Sequence, residues 1–490
     1  MNSHQEPNRI NNWINGREYP PQSDRWLDKF NPHDGTLLSR VAASSEIDAD
    51  HAVNVAEQAF SAWAELTPVR RGQILADIVS VMKRHAEELA DCIAVETGKP
   101  PQDARGETAG AIQLADFFAG EGMRLYGRSL TSGMPGKYSH TIRQPRGVAG
   151  LIVPVNTPIA NIAWKSFPAL VCGNTVVLKA AEDAPRIALL VAQFMKEAGL
   201  PDGVFNVVQG LGQPAGAALV ANPGVAVISF TGSTSVGRWI AEVAGRRLAR
   251  VSLELGGKNP LVVCDDADLG QAVHWAALSA FSNAGQRCAS GSRLIVFKAV
   301  YDEFRDLLAA RAKELKLGVA ADSDLGPVIN RRQRDDILAA IDTAKAEGGR
   351  ALCGGGAPED EILSKGYYIV STIIEGLSPT AELCCQEVFG PVTTLYTVDD
   401  LSEALEVANA TDYGLTAAIH TRSVDRAMWF AQRVKAGVAN VNMGTYGSEP
   451  HMPFGGYGFS GNGTREPGVE ALNVYSELKN ISFLVRPEQL

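Results

Sequence analysis

Val148-Ala-Gly-Leu-Ile-Val153, Thr175-Val-Val-Leu178, Val204-Phe-Asn-Val-Val208 and Val225-Ala-Val-Ile-Ser-Phe230 are short apolar runs, separated by helix-like segments such as Ala188 to Ala198. Strand-like runs alternating with helical patterns imply βαβ units around a mostly parallel sheet. The same alternation resumes after Glu254, with Pro260-Leu-Val-Val263, Arg293-Leu-Ile-Val-Phe297 and Val392-Thr-Thr-Leu-Tyr396. The expected fold class is therefore α/β, with two Rossmann-like domains on open, mostly parallel sheets. Tyr138-Ser-His-Thr-Ile-Arg143 and the tail from Glu477 to Val485 read as strands outside either sheet. Outlying strands of this kind often pair with another subunit. The chain divides into residues 1–128 with 148–253, residues 254–454, and a small β oligomerisation element from 129–147 and 468–490.

Ahead of the first run, Asp48 to Thr97 reads as helical, with Val53, Ala56, Phe60 and Trp63 at three-to-four-residue spacing and a second stretch from Ile74 to Leu89. Pro100 and Pro101 are expected to break that pattern, and Asp116 to Leu125 to be helical again. The 490 residues are 45% apolar, enough for several domains with large cores. A formal net charge of −10 argues against nucleic acid or an anionic membrane as partner and favours a small molecule. Seven cysteines without a CxxC spacing suit neither a disulfide framework nor a structural zinc site, so the expectation is reduced thiols in the cytoplasm and no metal. Met1 to Asn8 lacks the basic start and apolar core of a signal peptide, and no apolar run approaches the roughly twenty residues of a membrane helix.

Two motifs carry chemistry. Glu254-Leu-Gly-Gly-Lys-Asn-Pro260 and Gly285-Gln-Arg-Cys288-Ala-Ser290 place a carboxylate and a thiol among small residues. A cysteine thiolate can attack an aldehyde to give a thiohemiacetal, and a nearby carboxylate can activate the water that later cleaves the thioester. A third stretch, Ser229-Phe-Thr-Gly-Ser-Thr-Ser-Val-Gly237, reads as a strand turning through Gly232 and Ser233 into a helix near Thr234. A helix N-terminus offers free N–H groups and a positive dipole end to a pyrophosphate. Gly210-Leu-Gly212 continues to Gly216 with the wrong spacing for a dinucleotide fingerprint.

In the order and spacing of these motifs the chain resembles the aldehyde dehydrogenases, from about Phe30 to Asn480. The resemblance implies that Cys288 is the nucleophile, Glu254 the base, and Asn156, in Pro154-Val-Asn-Thr-Pro158, an oxyanion donor beside the Cys288 N–H. Lys165 and Glu466 match positions proposed to relay protons from the base. Lys179 and Glu182 match contacts to the adenosine ribose, Gly232 and Ser233 the pyrophosphate turn, and Glu387 and Phe389 the contacts to the nicotinamide ribose and ring. A carboxylate at Glu182 would repel a 2′-phosphate, so NAD is preferred while NADP is possible. Phe118, Thr157, Trp164, Tyr446 and His451 are the expected substrate-pocket residues, with Glu121 and Leu125 beside Phe118. Val155 and Thr157 stand where relatives often have aromatics, and Trp164 is retained. This points to an aromatic or otherwise bulky aldehyde, oxidised to its acid by a homodimer or homotetramer. The alternatives are a carboxylated aliphatic semialdehyde, a CoA-acylating relative, or a noncatalytic protein with the same fold. Glu254 argues against acylation of CoA, because a water-activating base would waste the acyl group.

Overall fold

In the computed structural model, which describes residues 8–486, the apolar runs assemble into two seven-stranded sheets. The first seven residues and last four residues of the parts assigned above lie outside the described residues. The first sheet runs Arg250–Glu254, Val225–Thr231, Val148–Ile152, Thr175–Lys179, Phe205–Val208, Asn12–Ile14, Arg17–Tyr19. Its first five strands are parallel, and the amino-terminal pair adds antiparallel at one edge. The second runs Arg350–Cys353, Thr372–Glu375, Val392–Val398, Gly291–Phe297, Asn259–Val263, Thr416–His420, Val438–Val441, parallel except at Arg350–Cys353.

Every residue of Thr175–Lys179 and of Asn259–Val263 is buried, as expected of central parallel strands with both faces covered. The covering helices owe their placement to specific ends. Helix Pro185–Glu197 has no side-chain cap of its own, and the buried carboxylate of Glu96 accepts the N–H groups of Arg186 (2.8 Å) and Ile187 (3.0 Å) instead. Burial pushes that carboxyl up to about 7.

The helical region before residue 100 departs from its expected outline. It forms three helices, Glu46–Glu65, Pro68–Arg84 and Ala86–Thr97. Thr67 caps the second through the Arg70 N–H, with Pro68 in its first turn, and His85 leaves helical geometry before Leu89 is reached. Gly98, in the left-handed region, terminates the third. Pro101 is the first residue of helix Pro101–Glu121, so the proline pair starts a helix as well as separating two. That helix stops at Glu121, short of Leu125.

The outlying strands pair with each other inside the chain. Lys137–Pro145 lies antiparallel to Ser476–Leu484 along its whole length, with Ser129–Leu130 on its other side. Ser476–Leu484 is left with a free edge and exposes Leu478 and Phe483. Among the described residues no helix is long and apolar enough to cross a membrane.

Candidate active site

The chemistry-bearing residues lie at the strand ends along one side of each sheet. From the first sheet, Lys179, Thr231 and Glu254 end their strands, and the loop to Asn156 follows Val148–Ile152. From the second, Gly257, Cys288 and Phe389 lie just ahead of strands Asn259–Val263, Gly291–Phe297 and Val392–Val398. The carboxyl ends of parallel strands are where open α/β sheets leave a crevice. The cleft here has a volume of about 410 Å³, and its lining includes Asn156, Thr157, Trp164, Glu254, Cys288 and Phe454 together with Gly232, Ser233, Glu387 and Phe389.

The loop bearing Cys288 is pinned by its backbone. Asn259 Nδ2 donates to the carbonyls of Cys288 and Ser290, both at 2.8 Å, and Thr445 Oγ1 donates to Ala289 at 2.6 Å. Asn283 and Ala284 hold left-handed φ values, as does Gly285, where a Cβ would fall 2.0 Å from the Gly390 carbonyl. Only glycine lets the thiol loop approach the Phe389 loop this closely. Burial pushes the Cys288 thiol up to about 12, reinforced by the Glu387 and Glu254 carboxylates and opposed by the N–H groups of Ala289 and Cys288. Among the described residues, both oxygens of Glu254 are buried without a partner. Burial, then repulsion from Glu466, hold that carboxyl well above the usual carboxylate range, against the pull of Lys165 and Arg465.

Behind Glu254 sits a closed polar group. Lys165 and Glu466 are fully buried and pair at 2.9 Å. Lys165 also donates to Ser229 Oγ at 2.7 Å, while Ser229 and Tyr475 each donate to Glu466 Oε1 at 3.1 Å. Their mutual hydrogen bonds include none to Glu254, so a proton passing from Glu254 to this group needs an intermediary.

The Gly232 and Glu387 part of the cleft fits a dinucleotide. Helix Thr234–Gly245 opens at Ser233, which makes no side-chain cap, so its first N–H groups are available to an anion. Glu387 accepts the Gly257 N–H at 3.1 Å, and a Cβ on Gly256 would come within 2.3 Å of Glu387 Oε2. Burial pushes the Glu387 carboxyl up to about 7. Phe389 holds φ 56°, and Gln333 Nε2 donates to the Val388 and Phe389 carbonyls at 3.0 and 3.2 Å. Lys179 and Glu182, which are not among the residues lining this cleft, pair at 2.9 Å, with the carboxylate half exposed at the strand end.

Residues 19–481 match the aldehyde dehydrogenase family. The chain belongs to the aldehyde dehydrogenase family. It is 38% identical over 480 residues to the alpha-ketoglutaric semialdehyde dehydrogenase of Bacillus subtilis, covering 97% of this chain and 98% of that protein. It is 39% identical over 479 residues to retinaldehyde dehydrogenase 3 of Rattus norvegicus, covering 96% and 92% of the two chains. The crystal structure of PnpE from Pseudomonas sp. WBC-3 in complex with nicotinamide adenine dinucleotide superposes with a TM-score of 0.95 at 38% identity, covering 97% of this chain and 98% of that one. As a member of this family, the protein is an NAD(P)-dependent oxidoreductase that oxidises aldehydes.

The aldehyde dehydrogenase cleft differs from the expected substrate pocket. Thr157 and Trp164 line it, but Phe118 is fully buried in the first core, and Glu121 is buried against Arg124 at 2.7 Å. Two adjacent phenylalanines, Phe117 and Phe118, face different directions on a helix, and Phe118 takes the inward one. Leu125 packs against the same core. Tyr446 stands one layer behind, against the Ala289, Leu415 and Phe454 cluster. His451 points to solvent, its nearest carboxylate Glu449 at 4.0 Å. Asn161, Gln333 and Phe454 were not anticipated. Phe454 lies in the Pro453-Phe-Gly-Gly456 run just after His451, whereas Asn161 and Gln333 sit in ordinary helical sequence with no signal.

Proposed function

We propose that the protein is a non-acylating aldehyde dehydrogenase in which Cys288 attacks the aldehyde and Glu254 activates the water that releases the acid. The reading is carried by one observation: the thiol and a carboxylate with two uncommitted oxygens line the same cleft as Asn156. Cys288 Sγ adds to the carbonyl carbon as its proton passes to water, giving a thiohemiacetal anion. Asn156 Nδ2 and the Cys288 N–H stabilise the oxyanion by about 3 kcal/mol each. NAD, when bound, would accept the hydride that the thiohemiacetal carbon must lose to become the Cys288 thioester. Glu254 then takes a proton from water, whose oxygen attacks the thioester and expels the Cys288 sulfur. Lys165 and Glu466 are assigned to carry that proton onward.

Residues 1–128 together with 148–253 are assigned to dinucleotide binding, with Gly232 and Ser233 at the pyrophosphate, Lys179 and Glu182 at the adenosine ribose, and Glu387 and Phe389 at the nicotinamide end. Residues 254–454 supply the nucleophile. Glu182, whose carboxylate keeps acceptor capacity beside its pair with Lys179 and would repel a 2′-phosphate, favours NAD over NADP. The edge strand Ser476–Leu484, with exposed Leu478 and Phe483, supports a homodimer or homotetramer, and seven free cysteines support a cytoplasmic setting.

Trp164 and Phe454, edge to face at 5.4 Å, favour an aromatic or bulky aldehyde. A carboxylated aldehyde is the second reading, favoured by Arg287. Arg287 stands one residue before Cys288, though outside the residues that line the cleft; among the described residues its Nε is buried without a partner, and its guanidinium lies 4.7 Å over Tyr446. Its fork suits a carboxylate. Turnover of aromatic, aliphatic and carboxylated aldehydes with NAD or NADP, without CoA, tests the whole assignment. Sustained formation of reduced nicotinamide is expected, with none from Cys288→Ala and a single burst from Glu254→Gln. A wild-type enzyme that stalls after one turnover until CoA is added would overturn it.

A further inference from the structure

Lys99 and Glu107 form an ion pair with side chains only 6% and 5% exposed, outside the residues that line the cleft. Lys99 Nζ donates both to Glu107 Oε2 and to the main-chain carbonyl of Asn156. The other Glu107 oxygen accepts the Ile159 N–H at 3.2 Å. Ile159 lies in the first turn of helix Pro158–Cys172, whose preceding Thr157 makes no side-chain cap. The carboxylate supplies that missing cap at the positive end of the helix. From the opposite wall, Asn283 Nδ2 donates to the same Asn156 carbonyl at 3.1 Å and to the Gln286 carbonyl at 3.2 Å, two residues before Cys288. The Asn156 backbone is thus fixed from both sides, while its side chain faces the cleft with Oδ1 lacking a partner.

We infer that Lys99 and Glu107 are positioning residues, which with Asn283 hold the Asn156 amide and the Cys288 N–H at the spacing of a single oxyanion. This rests on the proposed role of Asn156. A buried ion pair is weak support for stability, since apolar residues of similar volume often do as well, whereas a displaced catalytic donor is costly. A shift of about 1 Å can lower a rate by about 100-fold.

A double-mutant cycle between Lys99→Met and Asn156→Ala tests this, with kcat, the NAD KM and the burst rate measured for each enzyme. Asn156→Ala is expected to lower kcat by about 100-fold. Lys99→Met should lower kcat and the burst rate by about 10-fold while the NAD KM stays within about two-fold, and the double variant should be no slower than Asn156→Ala. Multiplying losses would show that Lys99 acts elsewhere and would overturn the inference alone. Wild-type kcat in Asn156→Ala would sink the oxyanion role itself, and the inference with it. If Lys99→Met does not fold, Asn283→Ala enters the same cycle with the same two outcomes.

Discussion

Cys288, the proposed nucleophile, is held in an environment that disfavours its thiolate form. Burial, then the Glu387 and Glu254 carboxylates, raise the thiol to about 12, so the thiolate fraction at neutral pH is small and grows about tenfold per pH unit. Alkylation of Cys288 by iodoacetamide, followed by peptide mass spectrometry, should therefore accelerate steadily from pH 7 to pH 10. Glu254→Gln removes one of the charges that raise the thiol, and should increase the alkylation rate several-fold at fixed pH. A rate already flat from pH 7 would mean that the thiol is not raised. At this scale the sequence was most readable where a residue type is itself the chemistry. Cys288, Glu254 and Asn156 stand in motifs whose spacing survives folding, and all three line the cleft. Lys99 and Glu107 were not readable, because their meaning lies in contacts with Asn156 and Ile159, more than fifty residues away in the chain.

Among the elements, the strands were legible because central parallel strands are uninterrupted apolar runs, and the helices less so because caps and prolines divide one periodic stretch into several. Phe118 illustrates the limit. Helical spacing permits either Phe117 or Phe118 to face the core, and only packing decides. The outlying strands were legible as strands, while their pairing partner was not: Ser476–Leu484 lies on Lys137–Pro145 and keeps one edge free. Such an edge with Leu478 at 62% exposure is a template for association. If the proposed homo-oligomer forms through this edge, Leu478→Asp lowers the mass seen in light scattering while far-ultraviolet circular dichroism is unchanged. A monomeric wild-type protein at micromolar concentration would remove the basis for the assembly.

For the molecule as a whole, the site is a place where function opposes stability. Glu387 accepts the Gly257 N–H and is near Lys258, yet burial outweighs both and raises its carboxyl from 4.5 to about 7. Between those values the unfolded chain has released the proton and the folded chain retains it. Folding is therefore disfavoured progressively as pH rises from 4.5 to about 7, and above that the loss is complete. Glu387→Gln is neutral at every pH and lacks this penalty. It should melt higher than the wild type at pH 8, by about 2 °C, with the difference shrinking toward zero near pH 4.5. Other buried titrating groups, such as His420, are common to both proteins and cancel in the comparison. The same substitution weakens the carboxylate assigned to the nicotinamide ribose, so the NAD KM should rise as the melting temperature does. Calorimetry at pH 5 and pH 8 decides the matter: a variant less stable than the wild type at pH 8 would mean that the Gly257 hydrogen bond outweighs the cost of burying the charge.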